Sequence, residues 1–370
     1  MIYLTDYRTA STTEVSLLED VVYPQNVHWF PEFYKRTKSG LVYVPHKMAE
    51  KVIDPELVKW LRENPAGKTA FILAAGNAHF AGINARRYPE NKLDYLYKFM
   101  PFTLTQVYAG RVAQSFGEID SVTTDSSACA SSLKVMQDMQ ILMNHYDFQR
   151  VIVLTVEDGV SNSVLEFFGE ARAVLTAKEE ESGLKPSAFD SVNKGFRIGQ
   201  GAALAVFHSE AAVNRLGLTP KAALLSAYNA SEQSTNAIGQ CEDGQGFTKA
   251  MEGAFHYGGI KPSEVKIVKS HGTGTDSNNK AEKAALLSAL PDFVATSYKQ
   301  KIGHTMGSSG LLETCLLLSH MAAGVVPGIE NRTESDSVFL SEDIFCPDGL
   351  ILSLAAGMGN IYSATIWRGM

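Results

Sequence analysis

The sequence predicts an α/β protein whose sheet is covered by helices on both faces. Short apolar segments such as TAFILAAG (69–76) and VIVLTVE (151–157) have the length and composition of buried strands. Helix-length stretches such as SSLKVMQDMQILMNH (131–145) lie between segments of this kind. Strands that are apolar throughout and alternate with helices are typical of a sheet with two buried faces.

The same pattern predicts the remaining strands. In chain order they are IDSVTTDSS (119–127), AALAVFHS (202–209), KAALLSAY (221–228), VKIVKSHG (265–272), DFVATSYK (292–299) and LILSLAAG (350–357). A second long helix is predicted for GSSGLLETCLLLSHMAAG (307–324). The organisation before residue 212 is loosely repeated after it, so we expect two related halves, 1–212 and 213–370.

Composition excludes several classes of protein. Of the 370 residues, 45% are hydrophobic and 20% are charged, which is ordinary for a globular protein. The net charge is −7 and no run of like charge is longer than KEEE (178–181), so we expect no binding to nucleic acid. The most apolar segment, 311–326, is short and contains Glu313 and His320, so we expect no membrane span.

The four cysteines indicate a reducing compartment. Cys129, Cys241, Cys315 and Cys346 are scattered without the spacing of a disulfide framework or of a zinc site, so we expect no metal. The acidic Asp6 lies where a signal peptide would have its apolar core. We therefore expect a cytoplasmic protein.

Cys129 lies among small residues, in TTDSSACASS (123–132), where a predicted strand gives way to a helix. The N–H groups and dipole at the start of a helix stabilise a thiolate, which makes this thiol a candidate nucleophile. The alternative is a buried free cysteine in a tight turn, which is the commoner situation for an isolated cysteine. We adopt that second interpretation for Cys241, Cys315 and Cys346.

Two histidines follow predicted strands and precede loops of small residues. His271 begins HGTGT (271–275), and His304 lies in SYKQKIGHTMGSSG (297–310), five residues after Lys299. The carboxyl ends of strands are where open α/β sheets place their sites, so both imidazoles are candidates for chemistry. A His–Gly turn is also common in ordinary loops. The IGH that follows Lys299 indicates that this lysine enters the interior.

Together with PSAFDSVNKGFRIGQGAALAVFHSEAAVNRLG (186–217), these motifs resemble the β-ketoacyl synthases of the thiolase superfamily, in the elongating branch with a Cys-His-His triad. Four motifs occur in the family's order through most of the chain. The resemblance implies a thiolase-like, five-layered αβαβα fold with two pseudo-repeated halves. It implies a stand-alone ketosynthase that condenses an acyl thioester with malonyl-acyl carrier protein in fatty acid, polyene or polyketide biosynthesis.

The resemblance also implies roles for individual residues. Cys129 would hold the acyl group, and His271 and His304 would stabilise the enolate formed by decarboxylation of the malonyl thioester. Backbone N–H groups at Cys129 and near Met358 would form an oxyanion hole. The further implied residues are Lys299 and Glu282, which would organise the surroundings of the histidines, and Thr273 and Thr275, which would contact the pantetheine arm.

The implied partners are an acyl carrier protein and a second ketosynthase-like subunit, in a homodimer or a heterodimer. No cofactor is implied. Carrier proteins are acidic, so an acidic ketosynthase requires a local basic patch. The candidates for this patch are Arg86, Arg87, Lys98 and Arg111, and scattered solvated charge is the equally weighted alternative.

Several positions depart from the family pattern. The signature Arg-Asp reads Asn193-Lys194, its Glu reads Gln200, the acid after HGTGT reads Asn279, and the gating loop reads GMGN (357–360). These departures favour a divergent enzyme of a specialised pathway. One alternative is a non-catalytic or chain-length-determining subunit of a heterodimeric ketosynthase, and another is a related Claisen enzyme or acyltransferase. The complete triad favours an active condensing enzyme.

Overall fold

The structure is a computed structural model. It describes residues 1–11, 34–37, 40–43, 49, 51–76, 105–158, 167–175, 177–234, 238–334 and 338–370. The strands of these residues are β1 (Ile2–Ser11), β2 (Tyr34–Thr37), β3 (Gly40–Tyr43), β4 (Thr69–Ala74), β5 (Ser121–Asp125), β6 (Arg150–Asp158), β7 (Gln200–Ser209), β8 (Ala222–Ser231), β9 (Val265–Lys269), β10 (Val294–Thr296), β11 (Val325–Val326), β12 (Ile344–Phe345), β13 (Leu350–Gly357) and β14 (Ile361–Gly369). The helices are α1 (Pro55–Glu63), α2 (Thr105–Ala113), α3 (Ser131–His145), α4 (Ala177–Glu181), α5 (Glu210–Leu216), α6 (Gln245–Gly258), α7 (Asp276–Ala289), α8 (Lys299–Ile302) and α9 (Ser309–Ala322).

Hydrogen bonds join ten strands in the order β10-β9-β13-β14-β8-β1-β7-β6-β4-β5. Read outward from the centre, one half is β8-β14-β13-β9-β10 and the other is β1-β7-β6-β4-β5. If the strands of each half are numbered in chain order, their order across the sheet is first, fifth, fourth, second and third in both halves. The halves meet where β1 pairs antiparallel with β8. This repeat confirms the α/β class with two pseudo-repeated halves, while the division between residues 212 and 213, which falls inside α5, stays a prediction.

Each half of the sheet is buried on both faces, as the apolar strands predict. In β4, Ile72 packs into a core shared with helices α3 and α9, whereas Phe71 packs on the opposite face with α1 and α2. In β13, Ile351 faces the α3–α9 core and Leu352 faces α6 and α7. Helices thus lie outside each half and between the two halves, which gives the predicted αβαβα layering.

Two strands of the ten-stranded sheet were not predicted from the sequence, nor were the four short strands of the two small sheets, β2-β3 and β11-β12. β1 alternates apolar with polar residues, and β14 begins next to a loop. Both strands pair antiparallel in the middle of the sheet. β1 pairs with β7 and β8, and β14 pairs with β8 as well as with the preceding β13, so both depend in part on strands that are distant in sequence. Strand propensity does not contain this contribution. The predicted strand 292–299 is shorter than expected because helix α8 already begins at Lys299.

The two central helices begin in equivalent ways. A 3₁₀ turn, Ala128–Ala130, precedes α3, and a second 3₁₀ turn, Met306–Ser308, precedes α9. Each turn starts on a residue with positive φ, 47° at Ala128 and 46° at Met306. Non-glycine residues rarely adopt this conformation, and it is retained where the surrounding structure enforces it, often at functional sites. None of the helices in the described residues is long and apolar enough to cross a bilayer.

Candidate active site

Cys129 lies in the 3₁₀ turn at the amino end of α3, and its side chain is 6% exposed. The hydroxyl of Ser131 closes the turn, because it donates to the carbonyl oxygen of Ala128 at 2.7 Å and accepts from the N–H of Ser127 at 2.9 Å. The small residues of the motif therefore form the turn itself. The backbone of Gly357 lies close against this turn. A side chain would not fit there, since a Cβ at position 357 would lie 2.6 Å from the carbonyl oxygen of Ser127.

An apolar cluster surrounds the sulfur and leads to the histidines. Phe196 packs in this cluster with Cys129, and its ring centroid lies 4.9 Å from that of His304. The ring centroids of His304 and His271 are 5.9 Å apart, edge to face. The structure therefore brings the three triad side chains together in one buried region. The remaining members of the cluster are Phe168, Val174, Ile198 and Met306, with Met358 packed against them.

The surroundings of His304 determine which ring nitrogen carries its proton. The N–H of Met306 donates to Nδ1 at 3.2 Å, and Ser309 Oγ lies 2.9 Å from the same atom. A nitrogen that accepts a hydrogen bond from an amide has no proton of its own in the neutral ring. The proton of neutral His304 is therefore on Nε2, which can donate a hydrogen bond.

Glu282 holds the loop that carries His271. Its carboxylate accepts from the backbone N–H groups of His271 and Gly272, the latter at 2.9 Å, and from the side chain of Asn278 at 2.9 Å. Burial raises the pKa of Glu282, and these donors oppose that shift. The Nδ1 atom of His271 is buried and has no hydrogen-bond partner within the described part of the chain.

The electrostatics of the site favour neutral groups at rest. Burial, followed by the positive charge of Lys299, lowers the pKa of His271 and of His304 well below the ordinary value. Burial raises the pKa of Cys129 to about 12, and Lys299 partly opposes this rise. At neutral pH the site thus contains two neutral imidazoles and a thiol.

Lys299 belongs to a buried group of charges that was not predicted from the sequence. Its Nζ lies 2.9 Å and 3.2 Å from the two carboxylate oxygens of Glu313, and both side chains are fully buried. Lys269 reaches the same carboxylate at 3.2 Å. A charged residue inside an apolar helix, as Glu313 is in LLETCLLL, is the sequence signal that could have identified this group.

The other predicted substrate-binding residues lie around the same loops. Thr273 is buried and its hydroxyl lies 3.0 Å from that of Thr275, which is half-buried. Met358 is half-buried against the cysteine cluster. Asn360, two residues further on, has φ of 61°, and its side-chain amide donates to the carbonyl oxygen of Ser234 at 3.3 Å.

Two of the departures from the family pattern have structural roles. Asn193 accepts from the N–H of Lys185 at 3.0 Å and donates to the carbonyl oxygen of Asn331 at 2.7 Å. Asn279 accepts from the N–H of Phe189 at 3.1 Å. Neutral amides therefore join the loop 185–193 to two neighbouring segments. Lys194, by contrast, forms a half-exposed ion pair with Glu179.

Part of the predicted carrier-binding patch lies outside the described residues, namely Arg86, Arg87 and Lys98. Arg111 is exposed on α2. The described residues contain no cluster of three or more His, Cys, Asp or Glu side chains that could hold a metal ion. Cavities of about 550 and 600 Å³ elsewhere on the surface adjoin neither Cys129 nor the two histidines.

Two family models match the chain. The one described as "Beta-ketoacyl synthase, N-terminal domain" matches residues 48–212, and the one described as "Beta-ketoacyl synthase, C-terminal domain" matches residues 222–333. The two models cover most of the sequence, in chain order.

Similar curated proteins have names from the same family. The 3-oxoacyl-[acyl-carrier-protein] synthase 2 of Staphylococcus aureus is 25% identical over 267 residues, which are 71% of this chain and 63% of the relative. An oxytetracycline polyketide beta-ketoacyl synthase 1 of Streptomyces rimosus is 26% identical over 286 residues, 74% of this chain and 65% of the relative. The chain thus spans less than two thirds of the length of these relatives.

Solved structures share the fold over the whole chain. One is a type II polyketide acyl-carrier protein in complex with its ketosynthase bound to the hexaketide, with a TM-score of 0.80, 17% identity and coverage of 100% of this chain and 99% of that chain. Another is a beta-ketoacyl synthase from Burkholderia phymatum STM815, with a TM-score of 0.76, 18% identity and the same coverage. At these identities the likeness shows a common fold.

Proposed function

Because the chain belongs to the β-ketoacyl synthase family, we propose that it is an active acyltransferase of the 3-oxoacyl-[acyl-carrier-protein] synthase type. The proposed reaction is the decarboxylative Claisen condensation of an acyl thioester, held on Cys129, with malonyl-acyl carrier protein. The observation that carries this proposal is the meeting of a helix-start thiol with two neutral imidazoles in one buried region. A pathway for fatty acids, polyenes or polyketides is the proposed setting.

In the first step Cys129 exchanges thioesters. A bond forms between its sulfur and the acyl carbon, the bond from that carbon to the carrier sulfur breaks, and the cysteine proton ends on the departing carrier thiol. The amino end of α3 and the charge of Lys299 both favour the thiolate that attacks. The N–H groups of Cys129 and Met358 are the proposed donors to the oxyanion, supported by the close approach of Gly357 to the cysteine turn.

In the second step the malonyl thioester loses carbon dioxide, and the electron pair of the broken carbon–carbon bond forms an enolate. Nε2 of His304 is the proposed donor to the enolate oxygen, and His271 is the second donor. The enolate carbon then bonds to the acyl carbon while the bond to the Cys129 sulfur breaks, and the released thiolate takes up a proton. A neutral donor suits this step because it stabilises charge only where charge develops.

The proposed partners are an acyl carrier protein and a second ketosynthase-like subunit. Thr273 and Thr275 are the proposed contacts of the pantetheine arm. Strand β5 supports a dimer, since it ends the sheet and pairs on one side only within the described residues. We expect a native mass near twice the chain mass of 40.2 kDa in light scattering, and a monomeric mass would contradict the dimer.

The cytoplasm is the proposed location, which four free cysteines support. A silent, chain-length-determining subunit is not favoured, because such a subunit would have no use for both histidines beside a thiol. An acyltransferase without condensation differs from our proposal only in the second step.

Mass spectrometry after incubation with an acyl carrier thioester tests the proposal. We expect an acyl adduct on Cys129 and, after addition of malonyl-carrier, release of a product that is two carbons longer. Cys129→Ser should form no adduct, whereas Cys346→Ser, which changes a half-buried cysteine away from the site, should react like the wild type. A stable adduct that malonyl-carrier fails to release would favour the acyltransferase, and no adduct would favour the silent subunit.

A further inference from the structure

Two lysines share one carboxylate in the interior of the second half. Glu313 on α9 receives Lys299 through both oxygens and Lys269 through Oε2. Lys269 also donates to the carbonyl oxygen of Leu354 at 2.9 Å. The three charged side chains have no exposed surface. We call Lys269, Glu313 and Lys299 the buried triad.

The buried triad carries one more positive charge than negative charge when its three members are ionised. Without Lys269, Lys299 and Glu313 would form a neutral ion pair, which would act on its surroundings only as a dipole. Taking charge out of water is costly, so an additional buried ammonium indicates that something nearby benefits from it. The groups closest to this charge along the chain belong to the site, because Lys269 lies two residues before His271 and Lys299 five before His304.

We propose that Lys269 is a positioning residue that acts through Lys299: by sharing Glu313, it leaves Lys299 with a positive charge that acts on Cys129 and the two histidines. This charge favours the thiolate of Cys129 whenever it forms, as attacking group and as leaving group. It also keeps the imidazoles neutral, so that they donate hydrogen bonds. The catalytic consequence rests on the proposed function, but the effect on the thiol does not.

The effects of these charges on the site agree with this geometry. The positive charge of Lys299 opposes the rise in the pKa of Cys129, and both lysines contribute to the lowered pKa of His271 and of His304. Burial lowers the pKa of Lys269 itself, and the Glu313 carboxylate opposes that shift. β13 and the turn Met306–Ser308, which pack against the cysteine turn, contribute no ionisable side chain. Among the described residues, the charges that act on Cys129 are those of Lys299, Glu157 and Glu313. Lys269 is acted on by Glu313, Lys299 and Glu282.

Alkylation of Cys129 by iodoacetamide, followed by mass spectrometry of its peptide from pH 7 to 9, measures the thiolate fraction without any substrate. Lys269→Met keeps the side-chain length and leaves Glu313 paired with Lys299. We expect this variant to alkylate about tenfold more slowly than the wild type, because one unit charge within the protein changes a neighbouring pKa by about one unit. Glu313→Gln, which removes the negative charge, should alkylate faster.

The double variant Lys269→Met/Glu313→Gln separates charge from structure. It has lost two members of the buried triad, yet Lys299 alone carries the same net charge of one positive unit as the three ionised residues carry together in the wild type. We expect its alkylation rate to return to within about threefold of the wild type. A purely structural role for Lys269 predicts instead that the double variant is at least as impaired as the single one, and thermal unfolding of each variant reports the structural effect separately.

Wild-type alkylation in Lys269→Met, or no recovery in the double variant, would overturn the inference. If alkylation follows the charge as expected while neither the wild type nor any variant condenses acyl and malonyl thioesters, the proposed function fails and the buried triad keeps its role. The two proposals are therefore tested by different results.

Discussion

A single backbone N–H determines what His304 can do. Because Met306 donates to Nδ1, the neutral ring presents the proton on Nε2, and the positive φ of Met306 is part of the turn that aims this N–H. The sequence indicated that His304 belongs to a site, since it follows a strand and precedes small residues. It gave no indication of the tautomer, which depends on a hydrogen bond formed only once the turn has folded.

We expect His304→Ala to form the acyl adduct on Cys129 at close to the wild-type rate but to decarboxylate malonyl-carrier about 10²- to 10³-fold more slowly, the usual effect of removing one oxyanion donor. Release of carbon dioxide and adduct formation are measured in parallel. His256→Ala, at an exposed position on α6, is the control. Equal loss of both activities in His304→Ala would contradict the assigned role.

Residues that act in pairs were the hardest to predict. Cys129, His271 and His304 each have a local signature, a small-residue turn after a strand, and the structure brings them together. Glu313 and Lys269 have no such signature, because their environment consists of each other and is assembled from α9 and β9. Sequence reasoning found the groups proposed to react and also Lys299, the leading charge that acts on them, but it missed Glu313 and Lys269, which pair inside the protein.

At the scale of elements, the loop between β13 and β14 links the cysteine turn to the second half of the sheet. Gly357 packs on the cysteine turn. Asn360 is bonded to the residues that follow strand β8, because its side-chain amide donates to the carbonyl oxygen of Ser234 and its own carbonyl oxygen accepts from the N–H of Glu232. The family resemblance marked this loop as a gate with unusual residues. The structure adds that Asn360 holds one end of this loop through its side-chain hydrogen bond to Ser234.

A pair of variants separates the two roles of Asn360, which are its side-chain hydrogen bond to Ser234 and its backbone conformation with positive φ. Asn360→Gly and Asn360→Ala both lose the amide hydrogen bond to Ser234, but only alanine is strained by the positive φ of 61°. We expect Asn360→Ala to have a free energy of unfolding about 1–2 kcal/mol lower than Asn360→Gly in urea denaturation. Equal stability of the two variants would show that the backbone leaves this conformation at no cost.

The loss of the tether itself should appear in both variants. We expect faster hydrogen–deuterium exchange of residues 357–360 in Asn360→Gly and in Asn360→Ala than in the wild type, because the side-chain bond that fixes the end of the loop is gone. Wild-type exchange in both variants would mean that the backbone contact with Glu232 holds the loop by itself.

The predicted elements were most accurate where a strand is buried on both faces. β4, β6 and β13 are apolar along their length and were identified within a few residues. β1 was missed because it is only half-buried for most of its length, and β14 was missed because only three residues separate it from the predicted strand β13. Their positions in the sheet are determined by the repeat of the whole chain and not by local pattern.

At the scale of the whole molecule, buried neutral histidines couple stability to pH. His208 is enclosed between β1 and β6, where Arg150 donates to its Nε2 at 2.8 Å and Thr5 Oγ1 lies 2.8 Å from Nδ1. Burial, and then the charges of Arg150 and Arg215, lower the pKa of His208 to about 3. The pKa values of His271 and His304 are lowered as well.

The sign of this effect follows from proton binding. Between the unfolded pKa of about 6.5 and the lower folded pKa, the unfolded chain binds protons that the folded chain does not, so stability falls as pH falls. Each histidine contributes up to about 1.4 kcal/mol per pH unit in that range. We expect urea denaturation to give a lower free energy of unfolding at pH 5 than at pH 7.

His208→Gln should reduce this pH dependence, because glutamine can still contact Arg150 and Thr5 but does not titrate. The slope between pH 5 and 6 should fall by about 1 kcal/mol per pH unit relative to the wild type. The difference between the two proteins isolates His208 from Glu282, whose raised pKa acts in the opposite direction at pH values above its ordinary value. An unchanged slope would mean that His208 is protonated in the folded protein.

The repeated strand order has a consequence for how the site divides between the two halves. Two copies of one five-strand unit, facing each other, would place two matching 3₁₀ turns side by side, as the turns at Ala128 and Met306 now lie. In the present chain one copy supplies sulfur and the other supplies imidazole. A fragment containing a single half would therefore hold either the thiol or the two imidazoles, and never all three side chains.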